Sequence, residues 1–266
     1  MLSLLTLNIQ APALSRARDL LAWLDTRDDD LVILTETSAG EGTAHLLEQC
    51  RRAGMAVLHT PHPGERGVAL LARVPVTARP ELLAGVSIPG RAVAATVDID
   101  TPFTVIGVYV PSSDRAPDKV TRKRVFVSTF LDAIARLPEA QRHRLVLGGD
   151  YNVIARDHRP AYRGFLPFEY EMLDRLHEYG LADAHEHCCP GVQAHSWIGR
   201  TSNGYRFDYV HIGAALVDRL TGCDYLHQPR ELKLSDHAAV AVGLDMAPLR
   251  RLELDPAGLT GTGTLF

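Results

Sequence analysis

The chain has 266 residues, 46% of them hydrophobic and 23% charged, with a formal net charge of −4 and a pI of about 6.3. That is an ordinary globular balance in a chain long enough to bury a large core. Its acidity disfavours a protein that coats nucleic acid non-specifically, since such proteins are usually basic. Four cysteines, Cys50, Cys188, Cys189 and Cys223, make neither a C-x-x-C zinc pattern nor a disulfide framework, so the compartment is read as reducing and cytoplasmic.

The opening "MLSLLTLNIQ" lacks the flanks of a secretory leader and reads as a strand over 2–8. No run approaches the roughly 18 apolar residues of a membrane helix. "LSRARDLLAWLD" (14–25) has apolar residues at a helical period, and "LVILTE" (31–36) is a second strand. "TAHLLEQCRRAG" (43–54) is a helix that closes on glycine. Strands follow at 67–72, 93–99 and 103–110. "PDKVTRKRVFVSTFLDAIARL" (117–137) opens on proline, which suits a first helical turn. Then come a strand at 145–149, a helix at 168–180 that again ends in glycine, and strands at 207–212 and 238–244.

This order mixes β-α-β units with direct β-β connections. It predicts an α/β fold of two packed mixed β-sheets flanked by helices. No internal repeat or long linker divides the chain. One domain is expected over 1–250, followed by a mobile Gly- and Thr-rich tail at 251–266.

Polar residues recur where the apolar runs end: Asn8, Glu36, Tyr109, then Asp150 and Asn152. Asp208 stands inside an apolar run, and Ser235, Asp236 and His237 precede the last strand. A turn is the commoner reading of any single Asx residue at such a place. Glu36 and Asp208 are harder to explain that way, because buried carboxylates are rare unless paired or metal-bound. Converging carboxylates repel, a divalent cation relieves that repulsion, and hard oxygen donors favour magnesium or manganese over zinc. His195 and His237 make no H-E-x-x-H zinc motif. Gly148 and Gly149, before Asp150, are read as leaving room for backbone and substrate to approach.

Taken in order, "TLNIQ", "LTET", "ERGVALLAR", "YVPSSD", "GGDYN", "FLPFEYEMLDRLHEYGLADAHE", "HSWIGR", "YRFDYVHI" and "LSDHAAV" resemble the endonuclease/exonuclease/phosphatase superfamily. Within it, they resemble most the exonuclease III-type apurinic/apyrimidinic endonucleases. The series runs from residue 4 to 244. The resemblance implies a four-layer α/β sandwich and magnesium-dependent phosphodiester hydrolysis by water. It implies Glu36 as principal metal ligand with Asn8 close by, and Asp236 near the metal or at a second metal position. Asp150 and Asn152 would orient and deprotonate the attacking water. Tyr109 and His237 would contact the phosphate, with Asp208 holding the imidazole.

Duplex DNA with abasic sites or 3′ ends is the expected partner of what is taken to be a monomer. Trp197 matches the tryptophan that lies against the abasic sugar, although a core role is an equal reading. Arg91 and Arg115 are expected to bind substrate. Residues 112–124 carry an excess of three positive charges, and Arg156, Arg159 and Arg163 form a second basic group. Arg122, Lys123 and Arg124 also read as a solvated helix face. The family's usual "NVNGI" is "NIQAP" here, which implies a different first loop. The short "RTSNGYR" (200–206) argues against deep wedge insertion into DNA. A small-molecule phosphatase or phosphodiesterase acting on nucleotides or sugar phosphates would use the same site. A non-catalytic scaffold should have lost one of these residues, and none is missing.

Overall fold

The computed structural model describes residues 1–60, 62, 64–161, 164–199, 201–246 and 251–255. In chain order the strands are β1 (Leu2–Asn8), β2 (Leu31–Thr37), β3 (Ala56–His59), β4 (Gly67–Ala72), β5 (Val76–Ala78), β6 (Ala92–Val97) and β7 (Phe103–Tyr109). They continue with β8 (Leu145–Asp150), β9 (Leu181–Asp183), β10 (Trp197–Ile198), β11 (Gly204–Tyr205), β12 (Asp208–Gly213), β13 (Leu220–Leu226) and β14 (Ala239–Leu244). One six-stranded sheet has the order β13-β14-β1-β2-β4-β3, and a second has the order β5-β6-β7-β8-β12-β9. β10 and β11 form a separate two-stranded ribbon.

The apolar patterns explain the layers. Ile33, Val68 and Leu70 of the first sheet meet Val105, Val146 and Val210 of the second in a core between them. Helices α1 (Leu14–Asp25) and α2 (Glu41–Arg52) press Leu20, Leu24, Leu46 and Cys50 onto the outer face of the first sheet, over Leu5, Leu7 and Leu34. Helix α3 (Pro117–Arg136), a short α4 (Glu139–Arg142) and α5 (Pro167–Glu178) follow. Phe126 and Phe130 of α3 and Met172 of α5 cover Ile106 and Leu147 on the second sheet. The result is the expected helix–sheet–sheet–helix sandwich.

Strand direction collects the polar ends. β1 and β2 are parallel, as are β7 and β8, so Asn8, Glu36, Tyr109 and Asp150 all lie at C-terminal strand ends. β12 runs antiparallel to β8 and β14 antiparallel to β1. Their N-terminal ends therefore arrive at the same edge, which brings Asp208 opposite Asp150 and His237 in just before β14.

The two glycines before Asp150 serve packing rather than substrate approach. A Cβ on Gly148 would lie 3.2 Å from Ile33 Cδ1, and one on Gly107 2.9 Å from Ile33 Cγ2. These glycines let Ile33 of the first sheet settle onto the second. Gly149 has φ 142°, and a Cβ there would stand 1.9 Å from the Val108 carbonyl oxygen. The short edge elements β3, β5 and β9, and the longer edge strand β13, do not stand out in the sequence. Of the stretch expected to be a mobile tail, 251–255 is tied down: Arg251 Nε donates to Asp30 Oδ1 at 2.8 Å, and the Leu252 and Asp255 amides bond to Arg73 and Ala53 carbonyls. Residues 256–266 lie outside the described residues. No described helix is long and apolar enough to cross a membrane.

Gly149→Ala forces a side chain into a backbone carbonyl and should cost about 3 kcal/mol or more, whereas Gly148→Ala meets the Ile33 Cδ1 and Val210 Cγ2 methyls at 3.2 and 3.4 Å and should cost about 1 kcal/mol. Urea unfolding of both variants checks this; equal losses would mean that the backbone contact at Gly149 is not the constraint.

Candidate active site

Asn8 ends β1 fully buried, and its Nδ2 donates to Glu36 Oε1 at 3.1 Å and to Asp150 Oδ2 at 2.9 Å. One carboxamide thus joins carboxylates from the two sheets. Glu36 sits at a bulge where β2 shifts register against β4, with φ 55°. That left-handed backbone is unfavourable for a non-glycine residue and turns the side chain toward the cleft. Glu36 Oε1 also accepts from Tyr109 Oη at 2.9 Å. Burial, with Glu36 and Asp150 nearby, pushes the Tyr109 phenol well above its ordinary pKa, so it stays protonated.

Asp150 and Asn152 form an Asx turn, with the Asn152 amide donating to Asp150 Oδ1 at 2.8 Å. The turn is also part of the site. Asn152 has φ 50°, and its Nδ2 reaches Val110 O at 3.0 Å and Asp150 Oδ2 at 3.3 Å. Tyr151 between them points the other way, into the core beneath α3 and α5, and anchors the turn through a hydrogen bond to Leu147 O at 3.1 Å. Burial, reinforced by Asp208 and Glu36, raises the Asp150 carboxyl to about 8 despite the nearby His237 charge.

His237 and Asp208 form a separate buried pair, Nδ1 to Oδ2 at 2.7 Å. Burial alone would lower the imidazole pKa, but Asp208 first, then Asp150 and Asp236, raise it to about 10. The ring is therefore charged at neutral pH, with Nε2 directed away from Asp208. Ser235 links this pair to the rest: its hydroxyl donates to Asn8 O and accepts the His237 amide at 3.0 Å. Asn8, Glu36, Tyr109, Asp150, Asn152, Asp208 and His237 thus share one connected hydrogen-bond network.

The network opens into a cleft of about 460 Å³. Trp197 and Asp236 line it, joined by a hydrogen bond from Trp197 Nε1 to Asp236 Oδ2 at 2.9 Å. Trp197 packs against Tyr205 and Phe207, and with Phe165 they make an aromatic wall. Trp197 therefore faces the cleft rather than the core. Arg91 lies behind Tyr109, its guanidinium 4.4 Å over the ring, and does not line the cleft. Arg115 is exposed on the loop before α3 and does not line the cleft either. In the second basic group, Arg163 lies outside the described residues, and Arg156 is paired with Asp174 at 2.8 Å.

The aromatic wall partners and Lys123 escaped the sequence reading. Lys123 is not on a solvated face: its side chain is 1% exposed and ion-paired with Glu169, and its Nζ donates to Asn152 O at 2.7 Å. Burial pulls its ammonium pKa down against the upward pull of Glu169. The signal was present, since Lys123 falls on the buried stripe with Val120, Phe126, Val127 and Phe130. A basic run is ordinarily solvated, which hid it.

Two observations bear on a divalent cation. Asp208 Oδ1 is buried without a hydrogen-bond partner, and Asp150 is held high by burial first, then by the negative charge of Asp208 and Glu36. Asp150, Asp208 and His237 bring ligand atoms within 4.8 Å of one another. His237 Nδ1, however, is already committed to Asp208. Glu36 lines the cleft with its Oε1 bonded to Asn8 and Tyr109 and its Oε2 left over among the described residues, and Asp150 and Asn8 stand behind it, a set of oxygen donors that fits a hard divalent cation.

The model of the Endonuclease/Exonuclease/phosphatase family matches residues 5–237. The chain belongs to this family. An exodeoxyribonuclease of Bacillus subtilis (strain 168) is 26% identical over 227 residues, covering 78% of this chain and 86% of that protein. Among solved structures, an AP endonuclease from Archaeoglobus fulgidus has a TM-score of 0.77 at 19% identity, covering 92% of this chain and 100% of that one. A 3′-5′ exonuclease from Neisseria meningitidis has a TM-score of 0.76 at 21% identity with the same coverage. Another Neisseria structure of this fold, with a TM-score of 0.76 at 20% identity and the same coverage, is described as a 3′ phosphatase bound to product DNA hairpin. Family membership makes this protein a metal-dependent phosphodiester hydrolase, and the acidic cleft is consistent with that chemistry.

Lys123→Met leaves Glu169 buried without its counter-charge and should destabilise the fold by about 3–5 kcal/mol. Lys123→Met/Glu169→Gln should recover most of the loss in urea unfolding. A single variant as stable as wild type would contradict the buried pair.

Proposed function

We propose that the protein hydrolyses phosphodiesters of DNA with magnesium, as an AP endonuclease and/or a 3′-5′ exodeoxyribonuclease, by attack of water on phosphorus. The observation that carries this reading is the single hydrogen-bonded network of eight residues, Ser235 included, at the floor of an aromatic-walled cleft. Its relatives act as exodeoxyribonuclease and AP endonuclease, which supports DNA as the substrate. The protein is read as a cytoplasmic monomer; four unbridged cysteines support the reducing compartment.

Glu36 and Asn8 would hold the cation, with Asp236 at the rim of the same cleft, and a bound magnesium supplies positive charge against the phosphate oxygens. Manganese suits the same donors. Asp150 in its ionised form takes the proton of the attacking water; burial raises its carboxyl to about 8, and the positive charge of a bound cation would favour the ionised form near neutral pH. Asn152 fixes the direction of attack through its bonds to Asp150. His237, charged and held in one orientation by Asp208, points Nε2 at the phosphate as a fixed donor. Tyr109, as a neutral phenol, orients Glu36 and stands beside the phosphate position. Trp197, with Tyr205 and Phe207, offers a flat apolar surface to a sugar without its base.

Duplex DNA bearing one abasic site should be cut in magnesium and left whole in EDTA. Asp150→Asn should lower kcat by about 10²–10⁴-fold. Unchanged activity in that variant would remove Asp150 from its role. Intact DNA with phosphate released from a nucleotide panel would instead select a small-molecule phosphatase.

A further inference from the structure

The reaction cleft continues past Ser112 and Ser113. Both serines also line a second cavity of about 310 Å³, which Arg91, Lys119 and Arg122 face as well. The two cavities differ in chemistry. The first is acidic and aromatic, while the second gathers three cations. Those cations come from separate elements: Arg91 from the turn before β6, and Lys119 and Arg122 from one side of α3. Arg91 ties the second cavity to the first, since its guanidinium stacks over Tyr109, whose hydroxyl reaches Glu36.

Carboxylates of the protein occupy all three cations. Lys119 Nζ bonds to Asp114 Oδ2 at 2.6 Å. Glu65 bridges the other two: one oxygen accepts from Arg91 Nε at 3.2 Å and the other from Arg122. A carboxylate spread across two guanidinium groups offers the same paired acceptor oxygens as a phosphodiester. The Arg122 side chain is 43% exposed and Glu65 only 22%, so Arg122 can exchange partners at its solvent side, while Arg91, at 7%, is fixed.

We propose that this second cavity is a subsite for another phosphate of the substrate strand, held by Arg91, Arg122 and Lys119, and that Glu65 keeps its place in the free protein. The proposal rests on the nuclease reading of the adjoining cleft and narrows it. A strand whose scissile phosphate lies at His237 passes Ser112 and Ser113 and delivers a second phosphate to the cations. A mononucleotide or sugar phosphate has nothing to put there. Glu65 then acts as a competitor. A lone small anion gains little by displacing a carboxylate that is already in place. A strand anchored at the reaction centre presents its next phosphate at high effective concentration and wins the exchange. Substrate length is thereby read in a chain whose net charge is negative.

The test uses the full chain and two substrates: a duplex oligonucleotide, and bis(p-nitrophenyl) phosphate, which carries one phosphorus. Arg122→Ala should raise the ratio of the oligonucleotide KM to the small-diester KM about tenfold. It should also reduce the slope of log affinity against log salt for the oligonucleotide by about one. Glu65→Gln should move the KM ratio the other way, several-fold. Fluorescence anisotropy of a labelled oligonucleotide in EDTA reads the subsite without catalysis. If Arg122→Ala leaves the KM ratio and the salt slope unchanged, or Glu65→Gln weakens oligonucleotide binding, the subsite is overturned. If the wild type binds with the expected Arg122 dependence but cuts no DNA, the nuclease reading fails and the subsite stands.

Discussion

The site depends on one amide group that joins two like charges. Asn8 Nδ2 lies between Glu36, on its own sheet, and Asp150, on the other. The buried Asp150 carboxylate is unfavourable where it sits, and a negative charge at Glu36 adds to that. The amide satisfies one oxygen of each without neutralising either. Both sheets must therefore end at a common edge and at a fixed spacing. Gly107 and Gly148 set that spacing by admitting Ile33 between the sheets. The core that stabilises the sandwich and the geometry of the site are consequences of the same close approach.

From this arrangement comes a division of charge. Asp208 and His237 form a pair that compensates itself, buried and hydrogen-bonded, and the imidazole remains cationic. Glu36 and Asp150 have no cationic partner of this kind, and burial, with Asp208 and Glu36 nearby, raises the Asp150 carboxyl to about 8. One half of the site thus offers a fixed positive donor and the other half calls for a cation. Phosphodiester hydrolysis develops negative charge on phosphorus-bound oxygens, so positive charge from two sides suits it. Behind Asn152, Lys123 is a further constraint, holding the carbonyl of a residue kept in a left-handed backbone.

Much of this was legible in the chain, for physical reasons. The eight apolar runs read as strands are strands, because continuous burial leaves a strong local pattern. Polar residues ending those runs marked the site, and strand direction explains why Asp208 and His237 join from the opposite ends of β12 and β14. Other features have no local signature. The roles of Gly148 and Gly149 depend on Ile33 and Val108, which are distant in sequence or belong to the neighbouring strand. Lys123 looked solvated because its partner Glu169 lies on another helix. Phe165, Tyr205 and Phe207 form a wall only once the end of the short β10–β11 ribbon brings Tyr205 and Phe207 to Phe165, distant in sequence. Edge strands such as β5 and β9, three residues each, are too short to carry a period.

The central claim is that the cation belongs to the Glu36 side while the Asp208–His237 pair stays intact. Anomalous scattering from a manganese-soaked crystal tests it most directly. The account requires a peak within coordinating distance of the Glu36 carboxylate, with His237 Nδ1 still bonded to Asp208. A peak seated on His237, with that bond broken, would contradict it.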